Sequence, residues 1–165
     1  MNDGLTMQAD SDALREIDPV MEADYLIKSN RFGEAAELLK SVLAEMPDDW
    51  APKREDHGSI YYAFWNENEF RAFIEYHKRN IEKNIFWTPL SYSKACYLLA
   101  YLAIEADDLK LAIRYLDEGL ELEPDHPRLL SEMAYVFERA LRDEEALRFR
   151  NLALTSRSWL TPLQR

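Results

Sequence analysis

Small and apolar residues recur along the C-terminal half of the chain in a pattern that repeats after 34 positions. Between residues 92 and 151, Ala100 recurs as Ala134 and Ala112 recurs as Ala146. The same offset relates five pairs of larger apolar residues: Leu99 and Met133, Tyr101 and Tyr135, Ile113 and Leu147, Tyr115 and Phe149, and Leu120 and Leu154. Two antiparallel helices approach closely only where side chains are small. The pattern therefore predicts two consecutive helix hairpins that bury their apolar faces on each other.

A fainter copy of this pattern lies further upstream. Ala23 and Ala35 precede Ala100 and Ala112 by 77 residues. Because 77 is twice 34 plus nine, an irregular copy with nine extra residues is expected between them. Apolar residues at the spacing of buried helical stripes predict its two helices: Ile60, Tyr61, Phe64 and Trp65 in the first, and Phe70, Phe73, Ile74, His77 and Ile81 in the second.

The period of 34, the alanines at these offsets and Pro124, twelve residues after Ala112, resemble the tetratricopeptide repeat. The resemblance implies an all-α fold, in which about four antiparallel helix hairpins form a right-handed α-α superhelix. We expect this helical domain over residues 11–157, preceded by a flexible leader over residues 1–10. The tail over residues 158–165 could begin a further repeat. The four hairpins are expected at residues 19–46, 54–84, 89–122 and 125–155.

Capping residues predict where several helices begin. Asp18 before Pro19 and Thr88 before Pro89 each place an N-cap residue ahead of a proline at the first helical position. Asp125 is expected to cap the first helix of the last hairpin. Asn30 and Arg31 are expected to form the turn of the first hairpin, where many repeats of this kind have glycine.

Composition agrees with a helical chain and narrows the choice of partners. Only 4 of the 165 residues are glycine, and no run of β-branched residues indicates a strand. The formal net charge of -11 argues against binding to nucleic acid or to an anionic membrane surface. The single cysteine, Cys96, excludes an internal disulfide and is expected to be a small buried residue. We see no secretory signal and no membrane-spanning stretch, and we expect a cytoplasmic protein.

The resemblance also implies a ligand-binding surface. In this family the first helix of each hairpin lines the concave side of the superhelix, where a peptide lies. Matching positions give these groove residues: Tyr62, Trp65, Asn66, Lys94, Tyr97, Tyr101, Ile104, Glu105, Arg128, Ser131, Tyr135, Glu138 and Arg139. Tyrosine occupies one equivalent site three times, as Tyr62, Tyr101 and Tyr135, which predicts a column of phenol rings along the groove. The alternative is that these rings pack as ordinary core between helices.

Charged groove residues allow two interpretations. Chaperone-binding members of the family hold a C-terminal carboxylate with Lys, Asn and Arg side chains. This sequence departs from that pattern, since Val20 and Asp24 stand where a Lys and an Asn would be needed. Lys94 and Arg128 could still pair with an acidic group of a ligand, or they could be solvated surface charges.

The sequence gives little support for catalysis. His57, His77 and His126 do not have the spacing of metal ligands, and Cys96 has no recognisable base near it in sequence. We therefore expect no enzymatic activity, no cofactor and no bound metal.

The leading functional prediction is a scaffold or adaptor that binds a peptide or a partner protein in its groove. One alternative is a small acidic chaperone for a secreted or assembling substrate, and another is a self-association module. The last hairpin offers Leu147, Phe149, Leu152 and Leu154 with nothing regular after them. We expect this surface to be covered by another copy of the chain or by residues that a longer natural protein carries.

Overall fold

The computed structural model describes residues 18–77 and 83–157. Over these residues the chain forms seven helices and three short strands. In chain order they are α1 (Pro19–Lys28), α2 (Phe32–Ala44), β1 (Lys53–Asp56), β2 (Ser59–Tyr62), α3 (Glu67–His77), β3 (Asn84–Trp87), α4 (Tyr92–Glu105), α5 (Leu109–Leu122), α6 (Pro127–Arg139) and α7 (Asp143–Thr155). No helix among the described residues is both long enough and apolar enough to cross a membrane.

Three helix pairs form the body of the molecule. The members of each pair, α1 with α2, α4 with α5, and α6 with α7, pack on each other, while α2 packs on α4 and α5 on α6. Ala23, Ala35, Ala100 and Ala112 have no exposed surface, as expected for small residues between closely packed helices. The side chains of all three pairs belong to one apolar core. The fold is therefore mostly helical, and its pairs lie within three of the four predicted hairpin ranges.

The turn inside each helix pair has the same geometry. Asn30, Asp107 and Leu141 each follow the first helix of a pair and adopt φ angles of 57°, 59° and 58°. The next amide N–H donates to the carbonyl oxygen five residues back over 2.9 Å: Arg31 to Leu26, Asp108 to Ala103, and Arg142 to Phe137. This arrangement is the Schellman motif, which ends a helix with one residue in the left-handed region. The three turns are separated by 77 and 34 residues, the same distances that relate the copies in the sequence.

Of these three turn residues, Leu141 is the least favourable in the left-handed conformation, because its Cβ crowds the backbone there and it lacks the short polar side chain of Asn or Asp. Its side chain is 88% exposed, so the residue makes little compensating contact. We expect Leu141→Gly to raise the free energy of unfolding by about 0.5–1 kcal/mol, after the greater freedom of glycine in the unfolded chain is subtracted. Denaturant unfolding measures this. Leu141→Ala is the control, since it removes the exposed side chain but keeps Cβ, and an equal gain in that variant would contradict the backbone explanation.

Of the three predicted helix starts, one is confirmed and two are wrong. The Asp18 carboxylate accepts a hydrogen bond from Val20 N–H at 2.9 Å. Helix α5 is capped by Asp108, whose carboxylate accepts a hydrogen bond from Leu111 N–H at 3.0 Å. However, α4 begins three residues later than Pro89, with Ser91 as its cap, because Leu90 has a φ of 67° and breaks the helix. The α6 cap is His126, followed by Pro127, and not Asp125.

The second predicted hairpin is wrong, because its first helix is replaced by a β-hairpin. Strands β1 and β2 pair antiparallel around a two-residue turn, His57-Gly58, whose φ angles are 42° and 78°. Two positive φ angles of this kind are typical of the tight turns that match strand twist. Aromatic residues such as Tyr61 and Tyr62 favour strands as much as β-branched residues do, so the lack of a β-branched run does not exclude a strand here.

The rest of this segment completes a small mixed sheet. Strand β3 pairs parallel to β2, and α3 lies in the connection between them. Ile60 and Tyr62 are buried, while Tyr61 lies on the other face and stacks on Phe86 at 5.2 Å. The predicted second helix corresponds to α3, and its extension toward Lys83 falls partly on residues outside the described ranges. The expectation of an all-α fold is therefore wrong for this segment, which we call the inserted segment (residues 53–87).

Candidate binding groove and its buried support

A groove of about 500 Å³ lies between α1, the start of α3, α4 and the first turn of α6. It brings together six of the side chains predicted from the sequence: Trp65, Asn66, Lys94, Tyr97, Tyr101 and Arg128. Helix α1 adds Lys28, which the sequence did not identify as a groove residue, and Asp24, which stands where chaperone-binding members of the family have Asn. The groove thus forms where the inserted segment meets the first helices of all three pairs.

Cations outnumber carboxylates in this groove. Asp24 pairs with Lys28 at 2.9 Å and lies 4.0 Å from the Lys94 ammonium. Among the described residues, no carboxylate lies within ion-pair distance of the Arg128 guanidinium. The residues that line the groove therefore carry an excess of positive charge, which Glu132 beside Arg128 partly offsets, although the whole chain has a net charge of -11.

Lys94 is the most buried of these cations. Its side chain is only 15% exposed, and its ammonium donates to the carbonyl oxygen of Trp65 at 3.1 Å. Burial lowers the pKa of Lys94, and the nearby carboxylates of Asp24 and Asp18 only partly offset this effect. A poorly hydrated ammonium of this kind gains stability when an anion approaches it.

The groove wall on the α4 side is aromatic. The Tyr97 ring packs on Trp65 with centroids 5.2 Å apart. Burial raises the pKa of the Tyr97 hydroxyl, Glu132 raises it further, and the positive charge of Arg128 partly opposes both. Tyr101 lies one helical turn further along α4 and is half-buried. These rings offer apolar area with polar ends, a combination found in binding surfaces.

Several predicted groove residues lie elsewhere. Tyr62 is buried on β2 because the predicted helix is a strand there, so the tyrosine column is wrong in its first member. Tyr135 is 46% exposed on α6, outside the groove lining, with the Arg139 guanidinium 5.9 Å from its ring centroid. Ile104 is a core residue, and Ser131 is exposed.

The predicted charged residues near the end of the first helices are also outside the groove. Glu105 is exposed, and Glu138 pairs with Arg150 at 2.8 Å. Arg139 pairs with Asp107 in the neighbouring turn. The first of these ion pairs joins α6 and α7 within one helix pair, the second joins adjacent helix pairs, and no ligand role follows from either.

A buried cluster of polar side chains lies behind Trp65. Glu123 is its centre and accepts hydrogen bonds from four groups in different parts of the chain. The donors are the Tyr62 hydroxyl at 3.0 Å, the Trp65 indole at 3.2 Å, the Ser93 hydroxyl and the Arg157 guanidinium. Because β2, α4 and the segment after α7 all contribute, this carboxylate links the inserted segment to the helix pairs.

Glu69 and His126 form the second half of this polar cluster. The Glu69 carboxylate accepts the Trp65 backbone N–H at 3.0 Å and lies 3.2 Å from His126 Nε2. His126 Nδ1 accepts the Arg128 N–H, so the ring proton belongs on Nε2, facing Glu69. The His126 ring stacks on the Trp65 indole with centroids 3.5 Å apart. Trp65 is therefore held from three sides, which fixes one wall of the groove.

Sequence reasoning missed this polar cluster. Glu69, Glu123 and Arg157 are charged residues in or next to helices, where charge usually indicates a solvated face. Most of their side-chain partners are 30 or more residues away in sequence, as for Ser93 and Arg157 with Glu123. Only the concentration of large aromatic residues around Trp65 indicated that this region is unusual.

The polar cluster predicts that acid destabilises the fold. Burial lowers the pKa of His126, so the folded chain resists a proton that the unfolded chain takes up below its ordinary value of 6.5. Burial raises the pKa of Glu69, but His126 and the Trp65 N–H outweigh this, and the net shift is downward. Both shifts make stability fall as the pH decreases.

We expect the free energy of unfolding to decrease between about pH 7 and about pH 5, mainly through His126. Urea unfolding at a series of pH values measures this. His126→Asn is the matched variant, because asparagine can still cap α6 but does not titrate. An equally steep decrease in this variant would contradict the assignment to His126.

The outer face of α7 is apolar and open. Leu147 is 55% and Leu152 is 42% exposed, while Phe149 is half-buried and stacks on Phe137 at 5.5 Å. Residues 158–165, the predicted tail, lie outside the described residues. Covering of this face by another copy of the chain or by further residues stays a prediction.

Comparison with protein-family models gives no match for this sequence. A search of curated proteins gives no match either. The resemblance to tetratricopeptide repeats therefore depends on the residues that recur and on the three equivalent turns, and membership of that family stays a prediction.

Proposed function

We propose that this chain is an interaction domain that binds an extended segment of a partner protein in the groove. The observation that carries the proposal is the groove itself, where aromatic walls and surplus cations meet in a volume of about 500 Å³. A volume of this size is typical of ligand pockets, and a wall that is largely pre-formed lowers the entropic cost of binding. Neither catalysis nor a cofactor is part of the proposal.

We propose further that the three helix pairs are tetratricopeptide-like hairpins of a right-handed superhelix. The support is the Schellman turn that recurs at Asn30, Asp107 and Leu141, together with the buried alanines. In this arrangement the inserted segment replaces the second hairpin and supplies Trp65 and Asn66 to the groove.

The charge of the groove favours an acidic segment. Lys94 and Arg128 lie on consecutive first helices, α4 and α6, and both line the groove. The guanidinium of Arg128 can receive a carboxylate through two parallel hydrogen bonds. Such a contact also explains how an acidic chain with a net charge of -11 could bind a partner of like charge.

We expect Tyr101→Ala and Arg128→Ala each to weaken partner binding by about 1–3 kcal/mol while the helical content stays unchanged. The partner is first obtained by affinity capture with the wild-type chain and identified, and its binding is then measured by titration. Arg114→Ala is the matched control, because this α5 arginine is 66% exposed and does not line the groove.

Two results would contradict the proposal. In one, Arg114→Ala weakens binding as much as Arg128→Ala, which would show a general charge effect. In the other, Tyr101→Ala abolishes cooperative unfolding, which would show that the ring is core and not a contact surface.

A further inference from the structure

A second cavity, of about 420 Å³, lies next to the groove and shares Trp65 and Lys94 with it. We call it the aromatic cavity. Its apolar walls come from α1 and from the inserted segment with the residues that follow it: Val20, Met21, Phe64, Trp65, Trp87 and Pro89. Most of these walls exist because the inserted segment takes the place of a regular helix hairpin, so a regular row of hairpins would not form this cavity.

The aromatic walls are fixed before any ligand arrives. The Trp87 indole N–H donates to the carbonyl oxygen of Phe64 at 3.0 Å, and the two rings meet edge to face. Trp65 is held by Ser93 Oγ at 3.1 Å and by its stacking on His126. Rigid walls of this kind reduce the conformational entropy that a ligand must remove.

Large apolar side chains border the opening of the cavity. Met21 is 58% exposed, and Trp87 is 37% exposed. Both are residues that proteins usually cover, and together they border an open apolar space on an otherwise charged surface. The volume of about 420 Å³ lies within the range of pockets that bury most of a small ligand.

Two of the described charged residues, Asp18 and Lys94, line the cavity, and only the first is fully hydrogen-bonded or paired. Asp18 accepts the N–H groups of Val20 at 2.9 Å and Leu90 at 2.8 Å, so both of its oxygens are occupied. Lys94, at the boundary with the groove, has its nearest carboxylate, Asp24, at 4.0 Å. A carboxylate that enters from the cavity would therefore meet the Lys94 ammonium, whose charge is only partly neutralised.

We propose that the aromatic cavity binds one bulky apolar side chain of the partner segment, preferably an aromatic one, and that Lys94 binds a carboxylate next to it. The ring would pack between Trp65, Trp87 and Met21, and the carboxylate would lie where the cavity joins the groove. This inference rests on the proposed function, since it names the chemistry of the segment that the groove would bind.

The test uses three small probes with the full chain. N-acetylphenylalanine carries both features, its amide has the ring without the charge, and N-acetylalanine has the charge without the ring. Binding is followed through the indole N–H signals of Trp87 and Trp65 by NMR. We expect the acid to bind about tenfold more tightly than the amide, which corresponds to about 1.4 kcal/mol, and N-acetylalanine to shift neither signal.

Variants assign each feature to its residue. Lys94→Gln should remove the preference for the acid over the amide and leave binding of the ring, read on both indole signals. Trp87→Ala should abolish binding of both ring probes, read on the Trp65 signal. Tyr135→Ala is the control, because this exposed ring lies outside the cavity, and it should change nothing.

Three results would overturn the inference: no indole shift up to the solubility limit of the probes, equal binding in wild type and Trp87→Ala, or an acid preference that survives in Lys94→Gln. A failure of this inference can be distinguished from a failure of the proposed function. If Tyr101→Ala weakens binding of the captured partner but Trp87→Ala does not, the groove binds the partner and the aromatic cavity does not anchor it.

Discussion

Arg157→Met is expected to lower the free energy of unfolding by about 3–5 kcal/mol, because it removes the cation from a buried ion pair and leaves the carboxylate behind. The side chains of Arg157 and Glu123 are each only 1% exposed. Tyr62, Ser93 and Trp65 still donate hydrogen bonds to Glu123 in the variant, but they bring no positive charge. A carboxylate without a counter-ion is costly to keep ionised inside a protein.

Two further variants make this result interpretable. Arg150→Met on α7 is the matched control, since the pair of Arg150 with Glu138 is 52% and 58% exposed and should contribute at most about 1 kcal/mol. The double variant Arg157→Met with Glu123→Gln removes both charges and should recover part of the loss. Denaturant unfolding followed by circular dichroism measures all of them. If Arg157→Met costs no more than Arg150→Met, the buried pair does not hold the inserted segment in place.

The helix pairs were predictable because their signal is local and repeated. Ala100 and Ala112 recur at a fixed distance, and apolar residues around them follow the helical period. A helix hairpin requires little more than this pattern and a turn. Some side chains on these helices, such as Lys94, Tyr101 and Arg128, do line the groove, since their position on a helix face follows from the register. Their role in binding stays a prediction.

The inserted segment was not predictable by the same means. Ile60, Tyr61, Phe64 and Trp65 fit a helical stripe, but in the structure Ile60 and Tyr61 lie on β2, and Phe64 and Trp65 follow it. A pattern this short does not distinguish a helix from a strand. The decisive contacts are long-range: Tyr62 pairs with Trp87 across the sheet and reaches Glu123 through its hydroxyl. Such contacts produce no repeating pattern in the sequence, so the aromatic cavity that depends on them was not predictable either.

Trp65 belongs both to the predicted groove and to the polar cluster, which was not predicted. The resemblance placed it in the groove, and the residue does line both the groove and the aromatic cavity. Yet the residue is only 5% exposed, and its indole N–H bonds with Ser93 and Glu123 in the polar cluster. A side chain in this position contributes mainly to the stability of the fold, whatever it adds to binding.

We therefore expect Trp65→Ala to lower the free energy of unfolding by about 3–5 kcal/mol, since it leaves a cavity next to His126 and removes a large buried surface. Trp65→Phe keeps an aromatic wall but takes the indole donor from Glu123, and we expect a loss of about 1–3 kcal/mol. Trp87→Phe is the comparison variant, because it also removes an indole donor, but from a ring that is 37% exposed, and its cost should be smaller. Urea unfolding gives all three values. If Trp65→Phe and Trp87→Phe lower the free energy of unfolding equally, the hydrogen bond of Trp65 gains no strength from its burial in the polar cluster.

If Trp65→Ala unfolds with wild-type stability but loses partner binding, Trp65 is a contact residue alone, and the polar cluster does not depend on it.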